Sequence, residues 1–324
     1  MTRKEFYKAY SAARKKTLRL SVRGINELKK IYNKAGDMVA EVIADVKARQ
    51  LSDITLEAQT AISRQLELGA NLIRGKMSEN LSSMMRKAAG YVTGVDAQYL
   101  KTIMPGIRGV TSIGIDAVYA AVNERVVRSL VNRMFQDGYT LSDRIWRVGS
   151  DYRDNISRVI GSGFAQGRDP VKIARDIKGY IKGGKTYLAK SYGPRLKAGT
   201  HAWYSRIRKD IDYRAIRLVR SELYMSLQEA GKESGRANPG ALDLYNWVLN
   251  PHRQQWNCVC PENARNGPYT YNNIPPFAHP NDMCRIEPVL RERDNFLYDL
   301  QSWANFEPVP YLDQWHSEFY SLLA

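Results

Sequence analysis

The chain has 324 residues, 44% of them hydrophobic, and its 49 Lys+Arg against 33 Asp+Glu leave a net charge of +16 and a pI near 9.7. That length suits two compact domains, or one elongated helical body with a small appendage. The charge is far from that of an ordinary soluble enzyme and points to a polyanionic partner: nucleic acid, an acidic protein surface or anionic lipid. No window approaches the roughly 18 consecutive apolar residues of a membrane span.

The opening "MTRKEFYKAYSAARKKTLRL" is basic throughout and lacks the apolar run of a signal peptide. Three cysteines without such a signal argue against a disulfide framework and for synthesis in a reducing cytoplasm. Up to about Ser234 the pattern is helical. Met38, Val39, Val42, Ile43 and Val46 form one apolar stripe, with Asp37, Glu41, Asp45 and Lys47 opposite. Val122, Val126, Val127, Leu130, Val131 and Met134 form a second, with Arg125, Arg128 and Arg133 outside it and Asp137-Gly138 as its expected C-cap. Asp169-Pro170 reads as N-cap and first turn of a helix that turns Ile173, Ile177 and Ile181 inward. A further helix, from about Ile211 to Ser234, carries Ile216, Val219, Leu223, Leu227 and Ala230.

Gly179 to Thr186, "GYIKGGKT", has the spacing of a phosphate-binding P-loop. That loop needs a strand before it and a helix after it. Here a helix precedes it and a poor helix former follows, so the match reads as a coincidence in a helix-ending loop. The charge of the region says more. Between Asp176 and Asp210 there is no acidic residue, while Lys182, Lys185, Lys190, Arg195, Lys197, Arg206, Arg208 and Lys209 alternate with Tyr187, Tyr192, Trp203 and Tyr204. Basic groups neutralise phosphates and aromatics stack on bases, which makes this a candidate nucleic-acid surface; the alternative is a solvated basic loop.

After Pro239 the runs "LYNWVLN", "GPYTY" and "CRIEPVL" are short and β-prone, separated by Pro, Gly and Asn. The stretch 239–290 therefore reads as a small strand-and-loop module in need of a staple. Its thiols and imidazole are candidate zinc donors: Cys258 and Cys260 as one pair, His279 and Cys284 as the other, with His252 and Asp282 in reserve. The competing reading makes the cysteines small buried hydrophobes among Trp247, Trp256, Tyr269 and Phe277. The tail, 291–324, is rich in aromatics, and Trp303, Tyr311, Trp315 and Tyr320 call for a surface to dock on. The expected fold is mainly α: an elongated multi-helix body (1–166), a helical lead-in with a basic loop (167–238), the small α+β module (239–290) and the aromatic docking tail (291–324).

One order of residues carries a resemblance. Gly167-Arg168-Asp169 opens a helix, Arg220-Ser221-Glu222 and "EAGKESG" follow, then Trp247, Cys260-Pro261, Gly267-Pro268-Tyr269, Pro275-Pro276, His279-Pro280 and Cys284. In that order the stretch 167–290 resembles the phage head morphogenesis proteins of the Mu F-like minor head protein type. Two positions depart from the family: Asp282 stands where its first cysteine of a Cys-x-Cys pair falls, and Asn263 where many members have Cys-Pro-x-Cys. The resemblance implies a non-enzymatic minor capsid protein of a tailed phage, made in the host cytoplasm and carried in the virion, in the head interior or portal region. Its implied partners are the portal protein, the major capsid or scaffolding protein and double-stranded DNA, with no membrane in the mature head. Its implied cofactor is zinc on Cys260, His279 and Cys284, with Cys258 compensating from the other side. The residues leave two other classes open: a metal-dependent nuclease or toxin-like enzyme carried in the virion, and a zinc-dependent nucleic-acid-binding protein.

Overall fold

A computed structural model describes residues 1–48, 56–134, 137–193, 204, 206, 208–251, 258–279 and 282–322, the side chains of 46–48 excepted. Among the described residues the architecture is mainly α with one small sheet. The helices are α1 (Arg3–Ala48), α2 (Leu56–Lys101), α3 (Ser112–Val131), α4 (Leu141–Ala165), α5 (Pro170–Tyr192) and α6 (Tyr213–Arg236). Strand β1 (Ala241–Val248), α7 (Cys260–Asn266) and β2 (Arg285–Leu290) follow, then α8 (Arg293–Ala304) and α9 (Pro310–Trp315). None of the described helices is long and apolar enough to cross a membrane.

The chain divides into two compact units, each built from stretches distant in sequence. The first comprises Met1–Val22, Ser82–Arg133 and Arg220–Ala324; the second comprises Arg23–Leu81 and Met134–Val219. The second unit holds 27 Lys+Arg against 16 Asp+Glu, a net of +11, and so most of the chain's positive charge.

In the second unit, Val39 and Ile43 of the first stripe are fully buried, as are Ile173 and Ile177 of α5. Tyr32 and Tyr152 meet edge to face at 5.9 Å in the same core. Asp169 does cap α5, accepting from the Val171 amide at 2.8 Å, with Pro170 in the first turn. Helix α4 opens on a capping box in which Thr140 and Asp143 satisfy each other's amides.

Two sequence expectations shift. The second stripe ends at Val131 with Asn132 as its cap, leaving Met134 exposed. Asp137 instead pairs with Arg144 at 2.9 Å and so belongs to the entry of α4, while Arg133 turns inward to a buried carboxylate described below. The P-loop-like segment lies wholly inside α5, which continues to Tyr192 and breaks only at Gly184 (φ 61°, ψ −158°). At that break the Lys185 amide donates to the Lys209 carbonyl at 2.7 Å, and a Cβ on Gly184 would sit 2.4 Å from the same oxygen. No strand precedes the segment among the described residues, so the phosphate cradle the motif needs is not formed.

In the first unit β1 and β2 pair antiparallel, with Trp247 opposite Ile286 and Tyr245 opposite Pro288. "GPYTY" adds only a bridge, in which Tyr245 and Tyr269 exchange both backbone hydrogen bonds at 2.8 and 2.9 Å. Tyr7 of α1 closes the free edge of β2: its hydroxyl donates to the Pro288 carbonyl and accepts from the Leu290 amide. The aromatic tail docks on its own chain. Trp315 Nε1 donates to the Ala237 carbonyl at 2.8 Å, Trp303 Nε1 to Asp313 at 2.8 Å, and the Tyr320 hydroxyl accepts from the Thr111 amide at 2.8 Å.

The glycines of "EAGKESG" have a packing reason. They lie four residues apart on the face of α6 that rests on the sheet; a Cβ on Gly231 would fall 2.3 Å from the Ile286 carbonyl, and one on Gly235 2.7 Å from the Tyr245 ring. Alanine gains about 1 kcal/mol over glycine in a helix. Forcing backbone apart costs about 1–3 kcal/mol or more, and a strand carbonyl is less yielding than a side chain. Gly231→Ala is therefore expected to destabilise the first unit by about 2 kcal/mol in urea unfolding, with an unchanged m-value; a neutral or stabilising result contradicts this close approach.

Candidate metal centre and basic segment

Cys260 opens α7, Cys284 immediately precedes β2, and the end of β1 brings residues 249–250 alongside. These elements bury a small cluster of Tyr245, Trp247, Cys260, Cys284 and Ile286, against which Cys258 and Tyr269 pack. The four residues expected to bind zinc come together in two overlapping groups sharing Cys260: Cys258 with Cys260 and His279, and Cys260 with Asp282 and Cys284. Within each group the candidate ligand atoms lie within 4.8 Å of one another. His252, the reserve ligand, lies outside the described residues, as does Trp256.

Cys258, Cys260 and His279 could hold a soft metal ion at three corners of a tetrahedron. Zn–S near 2.3 Å and Zn–N near 2.05 Å at tetrahedral angles place sulfur and nitrogen about 3.6 Å apart. Cys260 Sγ and His279 Nε2 stand 3.6 Å apart. Cys260 Sγ also lies within 4.8 Å of the sulfurs of both Cys258 and Cys284, and no disulfide joins the three. Packing alone explains buried cysteines but gives no reason for two thiols and an imidazole to lie within 4.8 Å of one another. Trp247 Nε1, in the same cluster, is a buried donor with no acceptor among the described residues.

Burial, and then the neighbouring Asp282 carboxylate, push the Cys260 thiol far up and the Cys284 thiol up to about 11. Without metal both stay protonated at neutral pH, so loading must expel their protons. Asp282, a reserve ligand by sequence, braces the site: its Oδ1 accepts from the Cys284 amide at 2.8 Å and its Oδ2 from Gln228 Nε2 at 3.2 Å. Gln228 Nε2 also donates to the Cys284 carbonyl at 3.0 Å, tying α6 to the ligand loop. Nothing in the sequence singled out Gln228; its spacing on α6 is that of any polar residue on the rim of an apolar stripe.

Glu222 of the Arg-Ser-Glu triplet is a fully buried partner of Arg133, whose Nη2 reaches its two oxygens at 3.1 and 3.3 Å. This pair locks α6 to the end of α3. A buried pair broken on one side costs about 3–5 kcal/mol, so the triplet has a structural use.

The basic segment divides. Lys182 and Lys190 are exposed on α5, and Lys209 is exposed beside the Gly184 break. Lys185 is half-buried, its ammonium 4.5 Å from the Tyr204 ring and its pKa lowered by burial. The exposed Arg206 lends its carbonyl to Arg158. Arg208 is committed to Asp151 at 3.2 Å, a carboxylate it shares with Arg214, and its amide donates to Asn155 Oδ1. Its part is internal. Arg195, Lys197 and Trp203 lie outside the described residues.

Comparison with known proteins yields no neighbour: no family model, no curated protein and no solved structure matches the chain.

Proposed function

We propose that this chain is a non-enzymatic minor head protein of a tailed phage, a zinc-stapled assembly component that associates with the portal protein and with packaged DNA. It is made in the host cytoplasm, meets the major capsid or scaffolding protein during head assembly, and stays in the virion, in the head interior or portal region. The observation that carries the reading is the gathering of one residue order into one module. Glu222, Trp247, Cys260, Tyr269, His279 and Cys284 are spread over more than sixty positions, yet all belong to α6 and the small sheet and loops that pack on it. The charge supports the DNA half: the second unit is strongly basic and presents Lys182, Lys190 and Lys209 to solvent.

Co-expression with the portal protein of the same phage tests the assembly half. A stable complex, and detection of the chain in purified heads, is the expected result; absence from heads overturns it. For the DNA half, duplex binding without sequence preference is expected, weakening linearly on a log–log plot against salt. Replacing Lys182 and Lys190 together by glutamine should reduce that slope by about 2, at roughly 0.9 for each phosphate no longer neutralised. Salt-independent binding removes DNA from the reading. Plasmid cleavage in the presence of a divalent metal, abolished by His279→Ala, replaces the reading with the nuclease one.

A further inference from the structure

We propose that Arg14 of α1 is the charge-balancing and positioning residue of the metal centre, acting through Asn250 on Cys284, so that loading the site fastens the first helix to the C-terminal module. The inference rests on the metal reading above and deepens it.

Arg14 is 6% exposed, and its Nη1 donates to Asn250 Oδ1 at 2.9 Å. Its Nε is buried without a partner, and no carboxylate pairs with it among the described residues. A buried guanidinium held by one neutral amide is short of counter-charge. The nearest charged neighbours do not supply it. Burial, and then repulsion by Arg285, lower the Arg14 pKa. Arg285 is itself matched by Glu287 at 2.5 Å. Asp282 is turned to Gln228 and the Cys284 amide.

Two groups would stabilise the Arg14 charge if they ionised, Tyr224 and Cys284. Burial pushes the Tyr224 phenol up to about 12, so it stays neutral at physiological pH. The Cys284 sulfur is different, because metal binding makes it a thiolate outright. Beyond the Val248–Arg285 pair the antiparallel register sets Asn250 alongside the residues that precede β2, Cys284 among them, while its side chain holds Arg14, so one buried residue joins the guanidinium to the ligand loop. With Cys284 closing the shell, three thiolates and one neutral imidazole around a divalent zinc would carry one net negative charge, and the neighbouring Asp282 carboxylate adds a second. Arg14 offsets one of these charges and stands behind Cys284, a ligand that is itself buried. Partners of this kind, behind the ligands, typically change metal affinity 10–100-fold when removed.

The test uses the full chain and zinc alone, with affinity read by competition against a chromophoric chelator. Arg14→Gln keeps an amide donor for Asn250 but removes the charge, and is expected to weaken zinc binding about tenfold or more. Arg14→Lys, which keeps the charge, is expected to recover most of that loss. In the wild type, zinc should slow hydrogen exchange at the α1 amides around Arg14 relative to chelator-treated protein, a readout that survives even if the variants do not fold. Wild-type zinc affinity in Arg14→Gln, or exchange in α1 indifferent to zinc, overturns this proposal alone. Failure of the wild type to take up zinc at all overturns it together with the metal reading.

Discussion

Asp96→Ala is expected to destabilise the first unit by about 3–5 kcal/mol, a large share of the total stability of a domain. Asp96 is wholly buried on α2 and accepts from Tyr10 of α1 at 2.5 Å, from Ser234 of α6 at 2.7 Å and from Asn238 at 2.7 Å. Removing it strands three buried donors at about 1–3 kcal/mol each, partly offset by hydroxyls that rotate to other acceptors. Asp96→Asn should cost much less. Burial outweighs the three hydrogen bonds and raises the carboxyl from 3.8 to about 6, so the fold already tolerates its neutral form well. Because the folded pKa lies above the unfolded one, the native state holds the extra proton between about pH 4 and pH 6. The contribution of Asp96 is most favourable below pH 4, declines by roughly 3 kcal/mol as pH rises through that window, and is flat above it. Unfolding free energies of wild type and Asp96→Asn, compared from pH 4 to 7, check this. A difference that does not change with pH refutes the raised carboxyl, and a loss under about 1 kcal/mol for Asp96→Ala refutes the network.

Stripping zinc from loaded protein is expected to lower the thermal midpoint of the first unit by about 10 °C. Zinc at a thousandfold above its dissociation constant adds about 4 kcal/mol. In a unit of about 180 residues, each kcal/mol moves the midpoint by about 2–4 °C. Cys260→Ser should reproduce the stripped state, because Cys260 is the one ligand shared by both groups. Elemental analysis should then find less than about a tenth of an equivalent of zinc in Cys260→Ser and about one equivalent in the wild type. Wild-type protein with as little zinc as the variant, and with thiols that react readily, returns the cysteines to plain packing residues.

The helical class, the capped start of α5 and the strands "LYNWVLN" and "CRIEPVL" were legible in the chain because each rests on local periodicity or on a capping side chain. The sequence also offered Cys258, Cys260, His279 and Cys284 as soft ligands within one short stretch, and the structure gathers them in two groups that share Cys260. The end of α3 was misplaced. Asp137-Gly138 has the composition of a C-cap, but the carboxylate of Asp137 is claimed by Arg144 from the next helix, a choice that depends on a neighbour in space.

What the sequence determined by itself is the set of chemical possibilities: a basic helical body, a small sheet in need of a staple, and soft ligands to make one. Tertiary structure alone decided which basic residues remain free and which are consumed. Arg208 and Arg133 read as surface charges, yet they face Asp151 and Glu222. It alone set Asp96 against three donors and Arg14 against Asn250. The physical reason is range. Periodicity and capping act over one or two helical turns, whereas the partner of a buried charge is found wherever the folded chain brings it, here 236 residues away for Arg14 and Asn250.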